Sequence, residues 1–378
     1  MAATNDNPRP ANTVQLLTAD GRFQPTDEAA EYLPYLERLG EDDYRRFYRD
    51  MVVVRRFDHE SANLQRQGQL ALWVPSHGQE AAQVGSGHAA RPQDHIFPSY
   101  REHVVGMIRG LDPVDILRML RGVTLGGWNP AENGNFHLYS LVLGSQSLHS
   151  TGYAMGIQLD GKAGTGDPEK DEAVVVYFGD GASSQGDVSE ALVFAASYRT
   201  PQVFFLQNNQ WAISVPVERQ SRTPLYLRGS GFGIPGTRVD GNDVLASYAV
   251  TKKWLDEARA GEGPALIEAV TYRVGAHTTA DDPTKYRTDD ELQSWIARDP
   301  IARYRTYLSD LGVGDSFFAS VDEEAADLAA DARRRLLEVV PPPMDVIFDH
   351  VYAEPHPLIA EQKEWAQRYE ASFDEERA

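Results

Sequence analysis

Three short segments in the middle of the chain are mostly apolar and are bounded by turn-forming residues. They are residues 173–178 (AVVVYF), 202–207 (QVFFLQ) and 265–272 (ALIEAVTY). Continuous apolar runs of this length are typical of strands buried on both faces of a parallel sheet. The segments between them, 187–198 and 243–259, have the apolar spacing of helices. Alternating strands and helices predict an α/β fold with a parallel sheet and helices on both faces, whose ligand site lies at the carboxyl ends of the strands.

Helical spacing of apolar residues also marks the flanking regions. Further helices are predicted for residues 41–67, 80–90, 112–121 and 356–375. The glycine-rich stretch 229–236 lacks the Lys and Ser/Thr of a P-loop, so it is predicted to be a plain loop. A run of prolines at 341–343 separates a helical C-terminal extension from the rest. We predict an N-terminal arm (1–40), an α/β domain (41–340) and a C-terminal tail with a helix (341–378).

Composition removes several classes of function. The chain has 378 residues, with 36 Lys and Arg against 56 Asp and Glu, which gives a net charge of −20. Nucleic acid is not an expected partner, because its phosphates attract basic proteins. A membrane is not expected either, since no run approaches the roughly 20 apolar residues of a membrane helix. The absence of cysteine excludes disulfides and thiolate metal sites. Residues 1–14 lack the features of a targeting peptide, so we expect a mobile arm on a cytoplasmic protein.

Candidate chemistry follows the first two predicted strands. Gly179-Asp180-Gly181 ends one strand, and Asn209 ends the next, 29 residues after Asp180. Alone, the Gly-Asp-Gly sequence is an ordinary turn. In a parallel sheet, however, the two positions meet at one crevice. Carboxylate and amide oxygens are the ligands that Mg²⁺ prefers, and glycines allow a phosphate to approach the backbone. The pattern predicts a metal shared with a phosphate-bearing ligand.

Four longer segments carry a family resemblance. They are YFGDGASSQGD, LQNNQWAISVPVE, RVDGNDV and TYRVGAHTTADDPTKYR. Together they resemble the E1 α subunits of 2-oxo-acid dehydrogenase complexes, over about residues 40–355. The resemblance implies a thiamine-diphosphate-binding fold, with thiamine diphosphate and Mg²⁺ as cofactors. It assigns the metal to Asp180, the side chain of Asn209 and the backbone carbonyl of Trp211.

The resemblance also implies a cofactor-binding set, which comprises Tyr100, Arg101, Ser145, Gly179, Gly181, Ala182, Gln207 and His277. Arg101 would bind diphosphate oxygens, although a surface ion pair is the alternative. Gln207 stands where some branched-chain relatives carry an Arg. Ser145 falls near the segment that lines the aminopyrimidine ring, and ordinary loop packing is its alternative. No K⁺ site is inferred, because Gly144, Gln146 and His149 replace the usual ligands.

His277 is the catalytic candidate. By resemblance it lies near the reactive part of the cofactor and assists acyl transfer, since histidine exchanges a proton near neutral pH. The loop 278–287 is expected to be held in place by Asp281, Tyr286 and Arg287. A Ser in this loop is phosphorylated in mammalian relatives, and Thr278 matches it here. Other histidines divide into possible site neighbours (His77, His103, His137) and packing residues (His88, His149).

The implied reaction is oxidative decarboxylation of a 2-oxo acid, followed by acyl transfer to the lipoyl domain of the E2 acyltransferase. Branched-chain 2-oxo acids are favoured over pyruvate, and an acetoin-cleaving enzyme or a catalytically inactive assembly scaffold are the alternatives. The chain has room for only one half of a thiamine site. We therefore expect an E1 β subunit as partner in an α₂β₂ tetramer, with segments 41–67 and 145–156 at the subunit contacts. The isolated chain is expected to be inactive.

Overall fold

A computed structural model describes residues 12–124 and 126–377, with the backbone alone for 374–377. Five parallel strands form one sheet in the order β1-β2-β3-β7-β6, and β4 pairs with β5 in a small hairpin. The strands are β1 His95–Phe97, β2 Val174–Gly179, β3 Gln202–Asn208, β4 Trp211–Ala212, β5 Val215–Pro216, β6 Gly236–Asp240 and β7 Ala265–Val270.

Helices surround the sheet and continue beyond it toward the C-terminus. The α-helices are α1 Glu41–Arg66, α2 Glu80–Ala89, α3 His103–Ile108, α4 Pro113–Arg121, α5 Ser145–Leu159, α6 Gly186–Tyr198, α7 Val217–Gln220, α8 Val244–Arg259, α9 Asp289–Ile296, α10 Pro300–Asp310, α11 Asp315–Leu337, α12 Val346–Asp349 and α13 Pro357–Arg377. None of those in the described part of the chain is long and apolar enough to span a membrane.

The two faces of the sheet enter two separate cores, because successive strand residues point in opposite directions. Val175 and Tyr177 of β2 pack in a cluster with residues of α1, α2 and α8. Val174 and Val176 pack on the opposite face with residues of α5 and α6. The predicted parallel α/β fold with helices on both faces is therefore confirmed.

The central strands and their helices lie within two residues of the predicted bounds. β7 shows the largest difference among the strands, ending at Val270 rather than at residue 272. It stops where its neighbour β6 stops, since Asp240 is the register partner of Val270. The prediction missed both edge strands, β1 and β6. It was also wrong to treat 229–236 as a plain loop, because a 3₁₀ helix, Leu225–Phe232, leads into β6.

The described part of the N-terminal region is packed against the sheet. Val14 is buried and forms a parallel bridge with Val239 of β6. Leu16 and Leu17 are fully buried, and their backbone N–H groups donate to Asp243 Oδ2 at 2.7 and 2.6 Å. Most of the expected mobile arm, residues 1–11, lies outside the described residues. The interpretation was wrong for Val14, which is fixed by strand pairing.

Helix α1 uses its apolar face inside the chain. Phe47, Met51, Val54 and Phe57 are at most 2% exposed and belong to the larger core. Their burial against other elements of the same chain, α11 and α2 among them, leaves this face unavailable for the subunit contact expected of segment 41–67. Helix α5, by contrast, leaves Tyr153 and Leu159 exposed.

Candidate active site

The sheet brings Asp180 and Asn209 to one edge. β2 and β3 are parallel neighbours, with Gly179 opposite Gln207 in register. Asp180 and Asn209 each follow the end of these strands, so both face the crevice at the carboxyl edge. They are 1% and 7% exposed and line the same cavity of about 180 Å³. This is the juxtaposition that the sequence predicts.

The Asp180 carboxylate is buried away from water and accepts a side-chain hydrogen bond. Gln220 Nε2 donates to its Oδ2 at 2.8 Å. Burial raises the pKa of Asp180 because the charged form loses its hydration. A cation at this carboxylate would act in the opposite direction and favour the ionised form. The residue therefore suits a metal site better than a solvent-exposed role.

A strained hairpin follows Asn209 and presents the Trp211 carbonyl. Two non-glycine residues there have positive φ, Gln210 at 74° and Ile213 at 55°, a conformation that L-residues seldom adopt. The Asn209 side-chain oxygen accepts the Trp211 N–H at 3.3 Å. The Trp211 carbonyl accepts from Arg273 Nη1 at 3.0 Å, which occupies one of its two lone pairs.

The donor set limits what metal could bind. Among the described residues, no group of three or more His, Asp or Glu is placed to hold a metal ion. A metal at this edge would combine the Asp180 carboxylate with amide and carbonyl oxygens and keep positions for ligand oxygens. Such an all-oxygen set fits Mg²⁺.

Gly181 forms the closest approach between the loop after β2 and the hairpin. A Cβ atom placed on Gly181 would lie 2.7 Å from the Cβ of Ala212. Only a glycine leaves both segments in place, so this position forms a backbone cradle at the cavity wall.

We expect Gly181→Ala to weaken binding of thiamine diphosphate about tenfold or more. Overpacking a tight contact costs about 1–3 kcal/mol, and 1.4 kcal/mol corresponds to tenfold. The displaced segment carries Ala212, which lines the cavity. Calorimetric titration measures the effect. Gly186→Ala is the matched control, because the new Cβ would have open space within 4 Å. Equal affinities for both variants would contradict the cradle.

Two buried guanidinium groups lie at or next to the cavity: Arg101 lines it, and Arg273 contacts residues that line it. Arg101 is 5% exposed and Arg273 is fully buried. Arg101 donates to the Pro75 carbonyl and to the His277 carbonyl at 3.1 Å. Arg273 donates to Trp211 O at 3.0 Å and to Ile213 O at 2.8 Å. Within the described ranges, neither has a carboxylate oxygen within 4.0 Å. Buried cations whose hydrogen-bond acceptors are all uncharged favour binding of an anion.

Gln79 adds an unused donor. Its Oε1 accepts from Asn209 Nδ2 at 3.3 Å, while its Nε2 is buried and has no hydrogen-bond partner among the described residues. The side chain lines the cavity. A buried amide N–H₂ without a partner is costly, and a ligand oxygen in the cavity would satisfy it.

His277 is neutral in this environment. Its Nδ1 lies 3.4 Å from Arg101 Nη2 and 3.4 Å from Arg273 Nη1. Guanidinium groups only donate, so Nδ1 accepts and the ring proton belongs on Nε2. Burial, followed by the two positive charges, lowers the pKa of His277 to about 4. In this state His277 therefore offers a neutral N–H donor, and its expected role in acyl transfer stays a prediction.

The loop that carries His277 is fixed as expected. Asp281 Oδ2 accepts the backbone N–H of His277 at 2.8 Å and also the Tyr286 hydroxyl. Tyr286 in turn accepts from Arg273 Nη2 at 2.7 Å. Arg287 donates to the backbone carbonyls of Arg273 and Val274. These contacts link the loop to the same arginine that faces His277.

The cavity gathers most of the predicted site residues. Those lining it are Tyr100, Arg101, Gly179, Asp180, Gly181, Ala182, Gln207, Asn209, Trp211 and His277. Sequence reasoning missed further lining residues, namely Gln79, Ser99, Glu102, Leu143, Ala212 and Ile213. Gln79, Ser99 and Glu102 lie in the segments PSHGQEA and FPSYREH, which also carry residues predicted for the site.

Two predicted residues have other contacts. Ser145 does not line the cavity; its hydroxyl contacts Val142 O and Ser140 Oγ, both at 2.8 Å, at the start of α5. Gln207 lines the cavity, but its amide is engaged on both sides. It donates to Glu102 Oε1 at 2.5 Å and accepts from Gln83 Nε2 at 3.1 Å. Its contribution is to brace the wall.

The histidines expected near the site do not line the cavity. His103 is buried, with Nε2 on the Val74 carbonyl and Nδ1 on the Tyr139 hydroxyl, each at 2.8 Å. His137 stacks on Phe97 with ring centroids 3.8 Å apart. Both rings are part of the packing.

Comparison with known proteins agrees with this geometry. The model of the family described as "Dehydrogenase E1 component" matches residues 48–333. The chain is 46% identical over 357 residues to the 3-methyl-2-oxobutanoate dehydrogenase subunit alpha of Mycobacterium tuberculosis, covering 93% of this chain and 92% of that protein. It is 37% identical over 341 residues to the pyruvate dehydrogenase E1 component subunit alpha of Acholeplasma laidlawii, covering 88% and 95%. A pyruvate dehydrogenase E1 component subunit alpha from Bacillus cereus is 38% identical over 303 residues, covering 80% and 77%. The family predicted from the sequence motifs is thus confirmed, and this chain belongs to the dehydrogenase E1 component family, among the α subunits of 2-oxo-acid dehydrogenases.

Proposed function

We propose that this chain, with a β subunit, catalyses the oxidative decarboxylation of a branched-chain 2-oxo acid and passes the acyl group to the lipoyl group of an E2 acyltransferase. Thiamine diphosphate with Mg²⁺ would supply the covalent chemistry that activates and cleaves the 2-oxo acid. The observation that carries the proposal is the cavity that places a buried Asp–Asn pair beside the buried Arg101 guanidinium, with Arg273 directly behind the lining residues Trp211 and His277. Neither arginine has a carboxylate partner among the described residues.

The chain's own residues divide into two binding roles. Asp180, the Asn209 side chain and the Trp211 carbonyl would hold Mg²⁺. Arg101 and Arg273 supply positive charge toward the diphosphate, and the unpartnered Gln79 Nε2 supplies a neutral donor. An acidic protein needs this local positive charge to hold an anion, because its overall charge of −20 repels one.

His277 would act as an oriented neutral donor. Its backbone is fixed by Asp281, and its Nδ1 faces the two arginines, so Nε2–H is the free end of the ring. A neutral N–H can stabilise negative charge that develops on a substrate oxygen without first gaining a proton. A role of this kind depends on the position of the His277 ring, which the hydrogen bonds of Asp281 and Tyr286 in the same loop fix. The intact set argues for an enzyme rather than an assembly scaffold.

A branched aliphatic substrate fits the rim of the cavity. Leu143 and Ile213 line it and present exposed apolar surface. The greater identity to a 3-methyl-2-oxobutanoate dehydrogenase subunit than to two pyruvate dehydrogenase subunits supports the same choice.

The exposed face of α5 and α6 suits a protein partner. Leu159 is 88% exposed, and Phe194 and Tyr198 are also exposed. Gly152 and Gly156 of α5 have open space where a Cβ would stand, which permits close helix approach. We propose this face for the β subunit, in agreement with the expectation for segment 145–156.

Substrate preference is tested with the reconstituted αβ complex. We expect kcat/KM for 3-methyl-2-oxobutanoate to exceed that for pyruvate by about 10- to 200-fold, since a few methylenes contribute about 1–3 kcal/mol. Omitting the β subunit should remove activity with both acids. A clear preference for pyruvate would transfer the proposal to pyruvate dehydrogenase, and full activity of the α chain alone would place the whole catalytic site in this polypeptide.

A further inference from the structure

A buried carboxylate on α1 organises the turn between α1 and α2. Asp58 is 2% exposed. Its Oδ1 accepts from Trp73 Nε1 at 2.7 Å and from the Ser76 N–H at 3.1 Å, and its Oδ2 accepts the His77 N–H at 3.2 Å. Three donors around one carboxylate fix the turn 73–79, hereafter the α1–α2 turn. Among the described residues, no Lys, Arg or His side chain forms an ion pair with Asp58 within 4.0 Å.

The α1–α2 turn holds Arg101 in place. The Pro75 carbonyl accepts from Arg101 Nη1, and the Val74 carbonyl accepts from His103 Nε2 at 2.8 Å. Gln83, one turn into α2, donates to the Arg101 carbonyl at 3.1 Å. With its guanidinium anchored at Pro75, Arg101 is directed toward His277.

The same turn also anchors the segment that carries His277. Trp73 and Thr279 exchange two hydrogen bonds, Thr279 N–H to Trp73 O at 3.0 Å and Trp73 N–H to Thr279 Oγ1 at 3.1 Å. The Val274 N–H donates to His77 O at 3.1 Å. These bonds bracket His277 on both sides. The far end of the turn supplies Gln79 to the cavity.

We propose that Asp58 is a positioning residue: through the α1–α2 turn it fixes Arg101, Gln79 and the His277 loop together, although it touches none of their reactive atoms. The inference rests on the proposed function for the role of the cavity in binding a cofactor, whereas the contacts of Asp58 do not depend on it. One buried carboxylate would thus fix the positions of the anion-binding side chains and of His277 relative to one another.

Electrostatics agree with this arrangement. The pKa of Asp58 is raised to about 7, mainly by burial, against the hydrogen bonds from Trp73 and Ser76 that lower it; the charge of Glu80 also raises it, and the Arg101 guanidinium lowers it. Asp58 and Arg101 therefore act on each other through space as well as through the Pro75 carbonyl.

Asp58→Asn tests the proposal in the full chain co-purified with its β subunit. Asparagine keeps the size and one acceptor, but its amide N–H₂ would oppose one of the backbone N–H donors. In the cofactor-free protein, we expect amide hydrogen exchange to accelerate about tenfold in segments 73–79 and 274–280. Affinity for thiamine diphosphate should fall by about 10- to 100-fold, the range for residues that orient binding groups indirectly. KM for the 2-oxo acid at saturating cofactor should stay unchanged.

Asp50→Asn is the matched control. Asp50 is also a buried acid on α1, but it contacts His88 at 2.6 Å and Arg49 at 2.6 Å, away from the α1–α2 turn. It should lower the melting temperature without changing exchange in 274–280 or cofactor affinity. Wild-type exchange in 274–280 for Asp58→Asn, or equal effects of both variants, would overturn the proposal.

Two further outcomes are separable. If Asp58→Asn does not fold, Trp73→Phe is the second variant, because it removes one donor to the carboxylate and keeps an aromatic ring. Trp73→Phe should also accelerate amide exchange at 274–280. No change in exchange there would overturn the proposal. A wild-type complex that binds no thiamine diphosphate would contradict the proposed function instead, while the exchange comparison in cofactor-free protein would still decide the role of Asp58.

Discussion

Asp180→Ala is expected to abolish Mg²⁺-dependent binding of thiamine diphosphate. Asp180 is the only carboxylate among the proposed metal ligands, and it is 1% exposed at the cavity wall. Losing one partner of a buried charge pair costs about 3–5 kcal/mol, which corresponds to roughly 100-fold or more in affinity. Water cannot replace the lost negative charge.

Titration calorimetry with and without Mg²⁺ measures the loss. Asp171→Ala is the control, because Asp171 is also a buried acid but accepts the Thr165 N–H at 2.9 Å before the start of β2. The control should bind the cofactor normally. An Asp180→Ala protein with wild-type affinity would show that the metal assignment is wrong.

The second large effect is expected for His277→Ala. Thiamine diphosphate should still bind, because the proposed metal ligands and both arginines remain. The overall reaction through acyl transfer to lipoyl should slow by about 100-fold or more, the range for losing one hydrogen-bond donor to developing negative charge. The alanine also removes the ring acceptor that faces Arg101 and Arg273.

Single-turnover decarboxylation and complete lipoyl acylation should be measured separately, alongside cofactor affinity. His88→Ala is the control, since His88 is a histidine paired with Asp50 on another part of the molecule. Its turnover should match the wild type. Normal turnover in His277→Ala would remove the catalytic role, and lost cofactor affinity would make His277 a binding residue instead.

The sequence was most informative where local pattern and burial coincide. Strands β2 and β3 each contain a continuous apolar run, and the Asp180–Asn209 juxtaposition follows from parallel pairing alone. Helix α5 was not predicted, because its Ser and Gly residues weaken the helical pattern and its apolar residues are divided between core and surface. The edge strand β1 has only three residues, too few for a periodic signal.

The state of His277 depended on information that no linear pattern carries. Burial is the main cause of its neutral form, and the charges of Arg101, 176 residues earlier, and of Arg273, which faces Nδ1 of the same ring, add to it. Arg273 was inside a recognised motif, but nothing in the motif says which arginine of the segment turns inward. Ser145 is the opposite case: it lies near a segment that the resemblance assigns to the cofactor, yet it does not line the cavity.

The N-terminal segment at Asp243 has a consequence for how the protein is made. Leu16 donates its N–H to Asp243 across 227 positions of sequence. At a synthesis rate of about 5–20 residues per second, the segment waits on the order of tens of seconds for its partner to leave the ribosome. Until then, Leu16 and Leu17 lack the residues against which they are buried. Forming a contact between residues so far apart in sequence is also slow. Leu16 and Leu17 are therefore translated well before their native contacts can form, and the bridge from Val14 to β6 closes only after that strand has been made.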